Sequence, residues 1–131
     1  MTELFRGTVP LPPSINGSYK IVRCGYGAMR LAGTPALSQF KQDARLMLAQ
    51  SRRPPADELA RIRRQKLALS VELTFYIKSL WQRDVDGGIK AALDAAFGYL
   101  GLNDNLVTEL YCSKLKSNGA PCCEIVIRIS D

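Results

Sequence analysis

Leu67-Ala68-Leu69-Ser70-Val71-Glu72-Leu73-Thr74-Phe75-Tyr76-Ile77 decides the fold. Leu67, Leu69, Val71, Leu73, Phe75 and Ile77 alternate strictly with Ala68, Ser70, Glu72, Thr74 and Tyr76. A period of two places one set on each face of a strand, so this segment predicts a β-strand with one face on the core. Downstream, the periodicity changes. Ile89, Ala92, Leu93, Ala96, Phe97 and Leu100 recur at helical spacing and predict a helix from Asp86 to about Tyr99, stopped by Gly101. Asp86 fits its N-cap. Val107 to Lys116 and Cys122 to Ile129 then read as a closing hairpin about Ser117-Asn118-Gly119, because Asn-Gly is a strong turn signal.

Upstream of the central strand, residues 3–9 read as a strand running into Pro10-Leu11-Pro12-Pro13-Ser14-Ile15-Asn16-Gly17, where three prolines enforce an extended loop or sheet edge. Tyr19 to Cys24 and Ala28 to Leu31 flank Gly25-Tyr26-Gly27 as hairpin strands. Thr34-Pro35 opens a helix, with Thr34 as N-cap and Pro35 at the first helical position. Leu37, Phe40, Ala44, Met47 and Leu48 form its buried face. Pro54-Pro55 ends that unit, and Asp57 to Arg64 is a short basic helix or an ordered loop. The order of elements implies a single α+β domain over 1–131, a mixed β-sheet flanked by two main helices.

The chain has 131 residues, 47% of them hydrophobic and 23% charged, which suits one soluble domain with its own core. No apolar run reaches membrane-spanning length. The N-terminus, Met1-Thr2-Glu3-Leu4-Phe5-Arg6, lacks a signal-peptide pattern, so a cytoplasmic location is expected. The net charge of +6 favours a polyanionic partner, and Arg52, Arg53, Arg61, Arg63, Arg64 and Lys66 crowd one region. There is no histidine. That excludes Ser-His and Cys-His nucleophile pairs and mixed cysteine/histidine zinc sites. Cys24, Cys112, Cys122 and Cys123 form no Cys-x-x-Cys pair and read as reduced residues. Catalysis would have to use carboxylates, lysine or metal-bound water.

Arg83-Asp84-Val85-Asp86-Gly87-Gly88-Ile89-Lys90, followed by Asn103-Asp104-Asn105, supplies those groups. Asp84 and Asp86 lie two residues apart, so in an extended segment both point the same way. Magnesium takes oxygen ligands, keeps several waters and needs few carboxylates. Lys90, four residues on, would stabilise a phosphate oxygen. The fitting chemistry is metal-assisted phosphodiester hydrolysis. Each residue also has a plainer reading: Asp86 as a helix cap, Lys90 as a solvated partner of Asp86 or Asp94, Asp104 as a turn former. The helix separates its ends by about 20 Å. Asp104 therefore meets Asp86 only if the chain folds back or a partner subunit supplies it.

Taken together, these residues resemble the RusA-type Holliday junction resolvases, small endodeoxyribonucleases of bacteria and their prophages. The shared pattern is Asp84-x-Asp86, Lys90, Asp94 and the Asn103-Asp104 turn, with Pro12-Pro13-Ser14-Ile15-Asn16 and Tyr19 near the N-terminus. It extends over nearly the whole chain. The resemblance implies a RusA-like fold and a homodimer that resolves four-way junctions by symmetric cleavage in DNA recombination and repair. It implies Asp84, Asp86 and Asp104 as ligands of Mg2+ (Mn2+ substituting) and Lys90 as the catalytic lysine. It implies contacts to branched DNA from Ser14, Asn16, Lys20, Arg83 and Lys90. Gly87 stands where the family has Asn. That departure sustains a second reading, a catalytically weak or inactive junction-binding protein of the same fold. A third is a basic protein-interaction module in which Asp86 is only a cap.

Overall fold

The computed structural model describes residues 2–13, 19–23 and 29–130. In chain order they form β1 (Thr2–Pro10), β2 (Tyr19–Arg23), β3 (Met29–Gly33), α1 (Pro35–Leu48), α2 (Ala56–Gln65), β4 (Leu69–Ile77), α3 (Ile89–Leu100), a 3-10 turn (Asp104–Leu106), β5 (Val107–Lys116) and β6 (Cys122–Ile129). The α+β expectation holds: a mixed four-stranded sheet ordered β1-β6-β4-β5 combines with three helices and a separate β2-β3 hairpin.

The alternating segment becomes the inner strand β4. Leu69, Val71, Leu73, Phe75 and Ile77 are all nearly or fully excluded from solvent. They meet Ile125, Ile127 and Cys123 of β6 in register, and α1 packs across β1 and α3. The opposite face of β4 is covered more than a half-buried strand requires. Ser70 and Thr74 are buried there, while Glu72 pairs with Arg128 at 3.0 Å and Arg6 pairs with Glu124 at 3.0 Å. Partly exposed pairs of this kind contribute about 0–1 kcal/mol each. Their long side chains also shield the smaller ones beneath.

The predicted β5-β6 hairpin does not form. Both strands pair with β4, β5 in parallel and β6 antiparallel. Residues 117–121 cross the C-terminal end of β4, where the Ser117 amide donates to the Ile77 carbonyl at 2.8 Å. The span is two inter-strand spacings, about 10 Å, which five residues bridge easily. The physical gain is that the most apolar strand occupies an interior position. Pro10 ends β1 on an edge strand of the sheet, the position at which a residue without a backbone donor is tolerated.

Helix boundaries follow local chemistry. Thr34 caps α1 by accepting from the Leu37 amide at 3.3 Å, with Pro35 in the first turn. Leu37, Phe40, Ala44 and Leu48 are buried, whereas Met47 is only half-buried. α2 is a true helix carrying Asp57 and Glu58 in its first turn and Arg63 and Arg64 in its last, the polarity the helix dipole favours. α3 stops at Gly101, whose φ of 69° lies in the left-handed region that a residue with a Cβ adopts only under strain. No helix among the described residues is long and apolar enough to cross a membrane.

Candidate metal centre

The chain leaves β4 at Ile77 and enters α3 at Ile89 through a segment bound down at several points. The Gln82 amide donates to the Ser79 carbonyl at 3.2 Å. Lys114, level with Phe75 on the helix-covered side of β5, donates from Nζ to the carbonyls of Leu80 (2.5 Å) and Arg83 (3.1 Å). A second turn follows, in which the Gly87 amide donates to the Asp84 carbonyl at 3.1 Å and the Ile89 amide to the Asp86 carbonyl at 3.4 Å. Asp84 and Asp86 both lie on this turn and both are exposed.

Asp86 is not the helix cap. The N-cap of α3 is Gly88, which makes no side-chain capping bond. Two glycines let the turn tighten before the helix begins, so capping passes downstream of both carboxylates. Neither carboxylate is committed to a hydrogen bond or ion pair among the described residues. The plainer reading of Asp86 is thereby lost, and an oxygen-only, solvent-facing donor pair remains. That donor set fits a hard divalent cation that retains most of its waters.

Arg83 turns inward beneath the turn. Its Nη2 is buried without a hydrogen-bond partner, and burial lowers its pKa from the ordinary arginine value. A Cβ at Gly87 would stand 3.1 Å from the Asp84 carbonyl and 3.4 Å from the Arg83 guanidinium. One at Gly88 would stand 3.0 Å from Pro12 and 3.1 Å from Arg83 Nη2. The glycines therefore make room for an arginine packed under the acidic turn. This gives Gly87 a local reason, since a larger residue would displace Arg83 or widen the turn.

Lys90 sits exposed in the first turn of α3, with Nζ 3.6 Å from Asp94. Asp104 lies past the opposite end of the helix, in the 3-10 turn that Asn103 caps by accepting from the Asn105 amide at 2.9 Å. Twelve helical residues span roughly 18 Å. Among the described residues, no group of three Asp, Glu or Cys side chains is close enough to hold one metal ion. Instead, Asp104 and Asp94 border one shallow depression beside Gly98 and Gly101. Carboxylates thus run along α3: Asp84 and Asp86 lie just before it, Asp94 sits midway beside Lys90, and Asp104 lies past its end.

Asp94, read from the sequence as an i, i+4 partner of Lys90 and as part of the shared pattern without a site role, is the residue that pairs with Lys90, whereas Lys114 is absent from the sequence reading. Lys114 gave no local signal, because its partners lie more than thirty residues away and depend on parallel register with β4.

The basic cluster is partly structural. Arg53 Nη1 donates to the Tyr99 carbonyl at 2.6 Å, with its guanidinium 5.0 Å from the Tyr99 ring centroid. Arg63 Nη1 donates to the Gly101 carbonyl at 3.0 Å. Both serve the carbonyl end of α3, where positive charge is favourable. Arg52, Arg61, Arg64 and Lys66 remain exposed. Of the expected DNA contacts, Ser14 and Asn16 lie outside the described residues, and Lys20 occupies β2 opposite Ala32.

The three described cysteines offer no activated nucleophile. Burial raises the thiol pKa of Cys123 to about 12, and burial followed by the nearby Asp86 charge raises that of Cys112. Cys122 is raised by burial and by Glu124. Cys24 lies outside the described residues. Compared with protein-family models and with curated proteins, the chain matches none.

Proposed function

We propose that this protein is a divalent-metal-dependent endodeoxyribonuclease that cleaves branched DNA, on the pattern of the RusA-type resolvases its sequence resembles. The observation that carries the reading is the pair Asp84 and Asp86, exposed, uncommitted to capping, and set on a bound-down turn one helical turn ahead of Lys90. Asp84 and Asp86 would hold Mg2+, with Mn2+ substituting. The ion supplies charge neutralisation at the phosphodiester and lowers the pKa of water. Lys90 places a positive charge on the phosphate or the leaving oxygen, and Asp94 orients its ammonium from 3.6 Å. Exposed basic residues of α2 supply sequence-independent attraction to the DNA backbone.

Symmetric cutting of opposed strands requires two sites, so the working form is a homodimer. A second copy also gives Asp104 a route to the carboxylate pair that one chain does not provide. Work on DNA places the protein in the cytoplasm. The test is incubation with a synthetic four-way junction and with a linear duplex of matched sequence, with and without magnesium. Metal-dependent nicks confined to the junction support the reading, and tight binding with no cleavage under any metal overturns it.

The separation of Asp104 from Asp84 and Asp86 favours one alternative, a junction-binding protein without nuclease activity. The same incubation distinguishes the two.

A further inference from the structure

Trp81 is the sole tryptophan of the chain and is 88% exposed. Indole is among the side chains that gain most from burial, so leaving it in solvent on an anchored segment is unusual. Gln82 closes the turn onto Ser79, and Lys114 Nζ binds the carbonyls on either side of Trp81, at Leu80 and Arg83. The same ammonium lies 5.5 Å from the ring centroid. The ammonium thus stands over the indole ring, and the side chain is otherwise largely open to solvent. The backbone beneath it is already ordered, so a ligand need not order it on binding.

We propose that Trp81 is a stacking platform for a nucleobase uncovered at a DNA branch point, and that it sets the preference for branched over linear DNA. The inference rests on the nuclease reading above and adds to it a specificity determinant. Three features select a base as the occupant. The exposed residues beside Trp81 on its turn, Lys78, Ser79 and Gln82, are polar or basic, without the broad apolar core a protein interface needs. Lys116, level with Ile77 where β4 ends, adds exposed positive charge suited to a phosphate backbone. Asp84 follows Trp81 by three residues, a reach of at most about 11 Å, so a base held on the indole keeps its strand beside the acidic turn.

Selectivity follows from stacking geometry. In a continuous duplex both faces of each base pair are covered, and an aromatic ring gains a partner only by unstacking one. At a branch point one face is already open. Base–aromatic stacking contributes enough to change affinity by roughly 5- to 150-fold, and that factor applies to the branched substrate alone.

The experiment measures Trp81 fluorescence and binding anisotropy during titration of the full chain, without divalent metal, with a four-way junction and a matched linear duplex. The expected result is strong quenching by the junction, little by the duplex, and roughly tenfold or greater loss of junction affinity in Trp81→Ala with duplex affinity unchanged. Trp81→Phe should recover most of the affinity and Trp81→Leu should not, which separates stacking from simple apolar contact. Junction cleavage by the wild type with undiminished junction affinity in Trp81→Ala overturns the inference and leaves the nuclease reading standing. Failure of the wild type to bind the junction overturns both. A change in Trp81 emission on self-association without DNA assigns the residue to a protein interface and also overturns it.

Discussion

Lys114 Nζ donates to the carbonyl oxygen of Arg83 at 3.1 Å, so an edge strand far along the chain holds the segment from which Asp84 and Asp86 project. A turn between a strand and a helix is ordinarily one of the looser parts of a domain. Here its approach is tied to β5, and the acidic turn inherits a defined position. Lys114→Met keeps the aliphatic stem and removes the donors. It should lower unfolding free energy by about 1–3 kcal/mol and speed amide exchange at Gln82. Denaturant unfolding and hydrogen exchange check this, and unchanged values for both would show that the tie contributes nothing.

Asp86 makes no capping bond to α3, so its removal should leave stability nearly intact. Asp86→Ala should change unfolding free energy by less than about 0.5 kcal/mol, where loss of a true cap costs about 0.5–2 kcal/mol. Urea titration of the two proteins measures the difference. A loss near the upper end would restore the capping role.

Gly87 borders both the Asp84 carbonyl and the Arg83 guanidinium. Gly87→Asn should destabilise the chain by about 1–3 kcal/mol, as overpacking does. Adding Arg83→Ala should recover part of that loss, because one of the two crowded neighbours is removed. Thermal melts of the single and double variants are the check. A stabilising Gly87→Asn would show that the turn has room to spare.

Cys123 supplies a pH dependence. Its thiol pKa rises from 9.0 in the unfolded chain to about 12 in the fold, because burial penalises the thiolate. Between those values the unfolded state binds fewer protons than the folded state, so stability falls as pH rises. The contribution is fully present below about pH 9 and is lost progressively towards pH 12. Cys123→Ala should flatten this decline. Unfolding free energies at pH 8 to 11 should show a shallower slope for the variant, and parallel slopes would contradict the assignment.

The elements governed by local chemistry were legible in the sequence. The alternation at 67–77, the Thr34-Pro35 start and the Gly101 stop each rest on a rule that acts within a few residues, and each holds. Two expectations failed for nonlocal reasons. Asn118-Gly119 signals a turn but not the partner of the following strand, and β6 passes beyond β5 to pair with β4. Asp86 had the residue type and position of a cap, but Gly87 and Gly88 delay the helix until Ile89. Within the candidate site, Asp84, Asp86 and Lys90 were legible because one short segment holds them. The placement of Asp104 at the far end of α3, the inward turn of Arg83 and the tie from Lys114 depend on tertiary packing that spacing alone does not encode.

The central claim is that Asp84 and Asp86 together bind the metal that cleaves DNA. It is tested most directly by comparing wild type with Asp84→Asn and Asp86→Asn on one labelled four-way junction, measuring cleavage with magnesium and affinity without it. Both variants should keep junction affinity within a few-fold, since neither gains or loses a packed contact. Both should lose nearly all cleavage, while the wild type gives paired nicks on opposed strands. Cleavage at the wild-type rate by either variant would contradict the account.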